Sequence, residues 1–319
     1  MAIGQGLFLL EPQFRERVWG GQRLRASNPP IGEAWIAYGQ SRILDGRHAG
    51  RTLDEVVASS GPELLGSAGA RGRDGRLFPV LAKLLDCADW LSVQVHPNDE
   101  QARRMAGPDQ LGKTEAWYFL ETDPGAKILL GVRPGTGKDE LARAIRDGRA
   151  VDVAAQVEVR GGEAVLIPAG TLHALGPGLF LYELQEASDI TYRAYDLGRP
   201  QSAERRLHIE ESAEVTLPVE ALGRAVPLVP SGTGSCQAIA CEYFEFELVR
   251  IAAEPLAADT AGRTFHLLTT TMGAVEVTCG GEIATLGTFE TALIAAAAGA
   301  YSLRSVGGPA TLIRARLPG

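Results

Sequence analysis

Residues 86–120, DCADWLSVQVHPNDEQARRMAGPDQLGKTEAWYFL, hold the side chains with the most chemistry to offer. Gln94 and His96 stand two apart in an apolar, alternating run, and Lys113 and Glu115 stand two apart in a second such run. Successive side chains of a strand point to opposite faces, so each pair shares one face. Gln, His and Glu are oxygen and nitrogen donors that suit a borderline divalent metal. A further donor comes from residues 161–176, GGEAVLIPAGTLHALG, where an apolar strand runs into Pro168 and Gly170 and then His173. Pro and Gly turn the chain sharply, and the histidine is carried on the strand that leaves the turn. Any one of these residues alone would read as structural, since a lone buried His is usually hydrogen-bonded in a core. Their joint occurrence points to a metal site. His48, His208 and His266 lie in unpatterned surroundings and read as surface or core residues.

The elements that must position these residues are short apolar or alternating runs bounded by Gly, Pro and Asp. Residues 34–38, 91–95, 116–120, 127–131, 164–167 and 179–184 read as strands. Helical patterns interrupt them at 52–65, 99–105 and 139–146, the last carrying Leu141 and Ile145 on one face. Many strands with few βαβ spacings favour a sandwich or jelly roll over a doubly wound sheet.

Composition narrows the class. A chain of 319 residues, 45% apolar, can bury one large core or two ordinary ones. A net charge of −8 argues against a general nucleic-acid or membrane-surface binder, so an anionic ligand must be held by a local Lys/Arg cluster. Cys87, Cys236, Cys241 and Cys279 show no CxxC spacing and read as thiols of a reducing compartment. The opening MAIGQGLFLL lacks a basic flank and a long apolar run, and no stretch resembles a membrane span, so a soluble, cytoplasmic protein is expected.

The spacing G-x5-P-x-G-x2-H ending at His173 resembles the second motif of the cupin superfamily. QVH followed by a distant glutamate resembles its first, with Gln94 where many cupins have a histidine. In cupins the two motifs meet around one metal inside a jelly-roll barrel. The segments FPVLAKLLDCADWLSVQVHPND, GKTEAWYFL, IPAGTLHAL and ELQEASDITYRAYDLGR go further and resemble type I phosphomannose isomerases in their short bacterial form. RVWGGQRL, GEAW and RRLHI also fit, and the similarity is collinear over roughly residues 10–215.

The resemblance implies a zinc enzyme, one metal per chain, interconverting mannose 6-phosphate and fructose 6-phosphate. Gln94, His96, Glu115 and His173 are then the metal ligands. Lys113 matches an active-site lysine, Arg193 the family's catalytic arginine with Asp189 four residues before it, and Glu183 a carboxylate considered as the base. Moving a proton between C1 and C2 needs a base beside a carbonyl and positive charge where enediolate oxygens develop. Glu183 or Asp189 could be that base; Arg193 and Asp189 could equally form a structural ion pair. Arg133, Lys138, Arg193 and Arg199 are candidates for gripping the phosphate. The chain departs from the family pattern at Ile36 and Tyr38, where Glu and Ser are usual, and at Leu197, where Trp is common, which bears on the pocket wall.

In the C-terminal third, 242–252, 265–270, 274–279 and 310–315 alternate as strands, and residues 292–304 echo 165–175 with Tyr301 near the place of His173. The expectation is a mainly β protein of two cupin-type jelly rolls with a few helical insertions. Residues 1–225 form the metal-binding catalytic domain, residues 226–319 a second, metal-free one, and the Pro/Gly-rich stretch 222–235 the boundary. The expected partner is a small sugar phosphate, with neither nucleic acid nor membrane. An isomerase of another or unphosphorylated sugar, and a non-catalytic sugar-sensing cupin, are the rival readings.

Overall fold

The computed structural model describes residues 6–69, 76–203, 205–220 and 223–318. Residues 1–5 of the opening run, residues 221 and 222 around the head of the expected boundary stretch, and residue 319 lie outside the described residues. The strands run in order as β1 (Leu7–Leu9), β2 (Gln13–Gly21), β3 (Ile31–Ala37), β4 (Val80–Cys87), β5 (Val93–Val95) and β6 (Glu115–Thr122). Then come β7 (Lys127–Val132), β8 (Ala154–Glu158), β9 (Ala164–Ile167), β10 (His173–Leu175), β11 (Leu179–Glu186) and β12 (Tyr192–Tyr195). The last third holds β13 (Gly234–Ala240), β14 (Glu245–Ile251), β15 (Leu256–Asp259), β16 (His266–Cys279), β17 (Glu282–Leu286), β18 (Thr291–Ile294) and β19 (Ala300–Arg316). The helices are α1 (Leu53–Gly69), α2 (Asp99–Ala106), α3 (Lys138–Arg146), α4 (Ala150–Val153) and α5 (Ile209–Val215). The protein is thus mainly β with few helices, as expected. No helix among the described residues is long and apolar enough to cross a membrane, and the four cysteines are free.

The chain clusters into two compact units. One comprises Phe14–Ala34 and Lys83–Ala225; the other takes the chain through Gln13, Trp35–Ala82 and everything from Val226 on. Part of residues 1–225 therefore groups with the C-terminal segment. The pairing of β1 with β18, Leu7 opposite Ile294, is one cause.

In the Lys83–Ala225 unit, the sheet β12-β5-β10-β7-β8 and the sheet that ends β4-β11-β6-β9 are built from antiparallel pairs. Trp117, Phe119, Val165 and Leu181 of one sheet pack with Ile128, Leu130 and Leu175 of the other in a single apolar core. Val93, Leu129, Leu172 and Ala194 instead pack with Leu141 and Ile145 of α3, Val153 of α4 and Ala213 of α5. The β5 to β12 sheet is thus covered on both faces, which is why KILLGV reads as a continuous apolar run rather than an alternating one. Helix α2 starts on a capping box: Asn98 Oδ1 accepts from Gln101 N–H and Gln101 Oε1 accepts from Asn98 N–H, both at 2.9 Å.

The other unit is organised by β16 and β19, which carry β18, β14, β15 and β17 as neighbours. Residues 265–270 and 274–279, expected as two strands, form one strand, because bulges beside Met272 and Gly273 (φ +75°) bend the chain without ending the ladder. Tyr301 is buried there against His266.

Candidate active site

The first turn toward the site is made by Pro168 and Gly170. Gly170 sits at φ +85°, and a Cβ there would stand 2.9 Å from the Leu217 side chain. Its N–H donates to the His96 carbonyl at 2.8 Å. The turn is thereby fastened to the strand end that carries His96, and His173 follows opposite Gln94 across β10 and β5. Glu115 opens β6, with Gln185 of β11 on one side and Ile167 of β9 on the other. Lys113 is held against the same strand end, its N–H donating to the Pro97 carbonyl at 3.0 Å.

His96, Glu115 and His173 are wholly buried, and one ligand atom from each lies within 4.8 Å of the others. His96 Nδ1 contacts the Ile190 carbonyl and His173 Nδ1 the Thr171 carbonyl, each at 2.8 Å. A carbonyl oxygen only accepts, so the proton of each neutral ring is on Nδ1 and Nε2 presents a lone pair. Those lone pairs face Glu115: His96 Nε2 is 3.4 Å from Oε2 and His173 Nε2 3.3 Å from Oε1. Burial, then the Lys113 ammonium, pushes His96 down to about 3, and burial lowers His173. Burial opposes ionisation of Glu115, but the Lys113 ammonium beside it holds its carboxyl well below the usual carboxylate range.

The result is a buried set of acceptors with few protons among them. Among the described residues Glu115 Oε1 and His173 Nε2 have no hydrogen-bond partner. Lys113 Nζ lies 2.7 Å from Glu115 Oε2 as an ion pair and 3.2 Å from His96 Nε2. Buried acceptors without donors are costly, and a divalent cation among them would satisfy all three residues. His96, Glu115 and His173 fit a metal, and Gln94 lies next to them in the register, on the strand between His173 and Arg193.

Gln94 and Lys113 lead from this cluster to a cavity of about 400 Å³, whose wall also holds Glu183, Asp189 and Arg193. The sequence-predicted site residues are therefore brought together. Glu183 is committed on both oxygens: Oε1 accepts from Lys83 Nζ at 3.0 Å and Oε2 from Trp117 Nε1 at 2.9 Å. Burial works against the Lys83 charge, yet Glu183, with Glu33 and Asp189, raises its pKa above the ordinary value. Asp189 is exposed, lines the cavity and, among the described residues, has no hydrogen-bond or ion-pair partner. Arg193 does not pair with it; its Nη1 donates to the Arg206 carbonyl at 3.0 Å.

Several wall residues escaped the sequence reading: Arg17, Lys83, Arg205 and His208. His208, set aside as unpatterned, accepts from the Arg193 N–H through Nδ1 at 3.2 Å. Lys83 carried a signal, since a lysine inside the apolar run of β4 must be paired. Arg133, Lys138 and Arg199 are not on the wall, and neither are Ile36, Tyr38 and Leu197. The departures from the family pattern thus leave the cavity lining untouched.

Fold and site together define a cupin-type protein with a His/Glu/His cluster that could hold a metal. The model of the phosphomannose isomerase type I catalytic domain matches residues 7–116. The probable mannose-6-phosphate isomerase GmuF of Bacillus subtilis is 40% identical over 222 residues, 66% of this chain and 68% of that protein. The mannose-6-phosphate isomerase of Streptococcus mutans is 38% identical over 225 residues, 67% of this chain and 68% of that protein. A crystal structure of the mannose 6-phosphate isomerase from Bacillus subtilis superposes with a TM-score of 0.85 at 26% identity, covering 98% of this chain and 99% of that one. The chain belongs to the type I phosphomannose isomerase family, and it is an isomerase of the aldose–ketose class.

Proposed function

We propose that this protein interconverts mannose 6-phosphate and fructose 6-phosphate by moving a proton between C1 and C2, with zinc held by Gln94, His96, Glu115 and His173. The observation that carries the reading is the buried acceptor cluster beside a cavity that also presents a carboxylate and a guanidinium, Asp189 and Arg193, with no ion-pair partner among the described residues. When bound, the metal supplies positive charge toward the sugar's carbonyl end.

The chain's own groups then divide the work. Asp189 is the better candidate for the base, because its carboxylate is free in the cavity while both oxygens of Glu183 are engaged. It would take the proton from the carbon beside the carbonyl and return it to the neighbouring carbon, a contribution of typically about 10²–10⁴-fold. Lys113 and Arg193 line the same wall and can donate to the oxygens on which charge develops. Glu183 holds Lys83 and Trp117, and the Trp117 ring stands edge-on to His173 with centroids 5.6 Å apart. The free thiols accord with a reducing, cytoplasmic setting.

The test is a coupled assay of mannose 6-phosphate conversion on purified protein, before and after chelation and after zinc is returned. Activity lost on chelation and regained with zinc is expected. No turnover of phosphorylated or free sugars by fully metallated protein would overturn the assignment.

A further inference from the structure

We propose that Arg17 and Arg205, which line the cavity together with Arg193, grip the phosphate group of the substrate. This rests on the sugar-phosphate reading above and adds the residues that would recognise the phosphate.

The placement follows from the sheet. His173, Gln94 and Arg193 lie side by side on β10, β5 and β12. Adjacent strands are about 4.8 Å apart, so Arg193 stands roughly 10 Å from the strand of the metal-ligand candidate His173. β12 is the sheet edge, and the 205–208 segment is fastened along it: His208 N–H donates to the Arg193 carbonyl at 2.9 Å, and Arg193 Nη1 to the Arg206 carbonyl at 3.0 Å. Arg205 therefore comes from the side of Arg193 away from the metal ligands. Such a span suits a six-carbon chain with its carbonyl at one end and its phosphate at the other.

Both arginines are aligned in advance. Arg205 donates from Nε and Nη2 to the buried Asp196 at 3.0 and 2.6 Å, and among the described residues Nη1 has no partner. Arg17, on β2, donates from Nε and Nη2 to Glu33 at 2.9 and 3.1 Å and from Nη1 to the Glu16 carbonyl at 3.1 Å, which fixes the plane of its fork. Among the described residues Arg193 has no carboxylate partner, and its Nε is buried without a hydrogen bond. Burial first, then Arg205 and also Arg17, weaken its hold on the proton, against Asp196. Glu33 and Asp196 balance Arg17 and Arg205, whereas Arg193 brings its charge to the same cavity, and planar guanidinium forks suit phosphate oxygens. Arg199, an earlier candidate, is occupied by Asp89, Asp196 and the Trp90 carbonyl.

The experiment uses the full-length, metallated enzyme and two variants: Arg205→Lys, which keeps the charge beside Asp196, and the charge-neutral Arg17→Gln/Glu33→Gln. For each, the KM for mannose 6-phosphate and the inhibition constant of inorganic phosphate should rise together by about tenfold, with kcat within about threefold of the parent. Circular dichroism verifies that each variant is folded. Unchanged KM and phosphate inhibition in folded variants would overturn the proposal, and so would a loss of kcat at constant KM. Calorimetric titration of inorganic phosphate separates the two readings: binding that Arg205→Lys weakens supports the grip even if the parent turned over no sugar phosphate, an outcome that would sink only the isomerase assignment.

Discussion

Replacing Lys83 with Met would strand the Glu183 carboxylate in the protein interior. The two side chains are only 5% and 4% exposed, and the Nζ–Oε1 distance is 3.0 Å. Breaking a buried pair by removing one partner costs about 3–5 kcal/mol, because the remaining charge is left uncompensated. Trp117 Nε1 still donates to Glu183, which offsets part of the loss but cannot neutralise it. Each kcal/mol moves the melting temperature of a domain of this size by roughly 2–4 °C, so Lys83→Met should melt on the order of 6–20 °C lower. Adding Glu183→Gln removes the stranded charge while keeping an acceptor for Trp117, and the double variant should recover about 1–3 kcal/mol relative to additivity. Urea and thermal unfolding of the parent, both single variants and the double variant give the cycle directly. Additive losses, or a Lys83→Met cost below about 1 kcal/mol, would refute the view that the pair acts as one buried unit.

Other consequences can be checked separately. Asp189→Asn should lower kcat by about 10²–10⁴-fold with little change in stability, since the carboxylate is exposed and unpaired; a smaller fall would remove it as the base. Gly170→Ala places a side chain at φ +85° and against Leu217, and a loss of roughly 1–3 kcal/mol in unfolding experiments is expected, together with weaker metal retention. His266 is buried with Tyr301 at 2.8 Å, and burial, with Arg314 and Arg316 against Glu247 and Asp259, pushes its pKa to about 3. The unfolded chain therefore takes up this proton first as pH falls below about 6.5, and stability should drop by about 1.4 kcal/mol per pH unit between there and 3. His266→Gln should flatten that portion of the stability profile, and an unchanged profile would count against it.

What could be read without coordinates is what short-range geometry dictates. The alternation around Gln94 and His96 marked a strand, the Pro168 and Gly170 turn marked the entry of His173, and β5, β6, β7, β9 and β11 lie where their apolar runs suggested. Spacing, together with the resemblance to the two cupin motifs, named His96, Glu115 and His173, whose donor atoms cluster. The motif order along the chain indicated the family. The tertiary structure alone decided which groups face one another. It committed Glu183 to Lys83 and Trp117 while leaving Asp189 free, and it brought Arg17 and Arg205 to one cavity from distant segments. It also set β1 beside β18 from the far end of the chain. Turns and periodicity act over a few residues, whereas partners across sheets are chosen by packing and register, which no local pattern encodes.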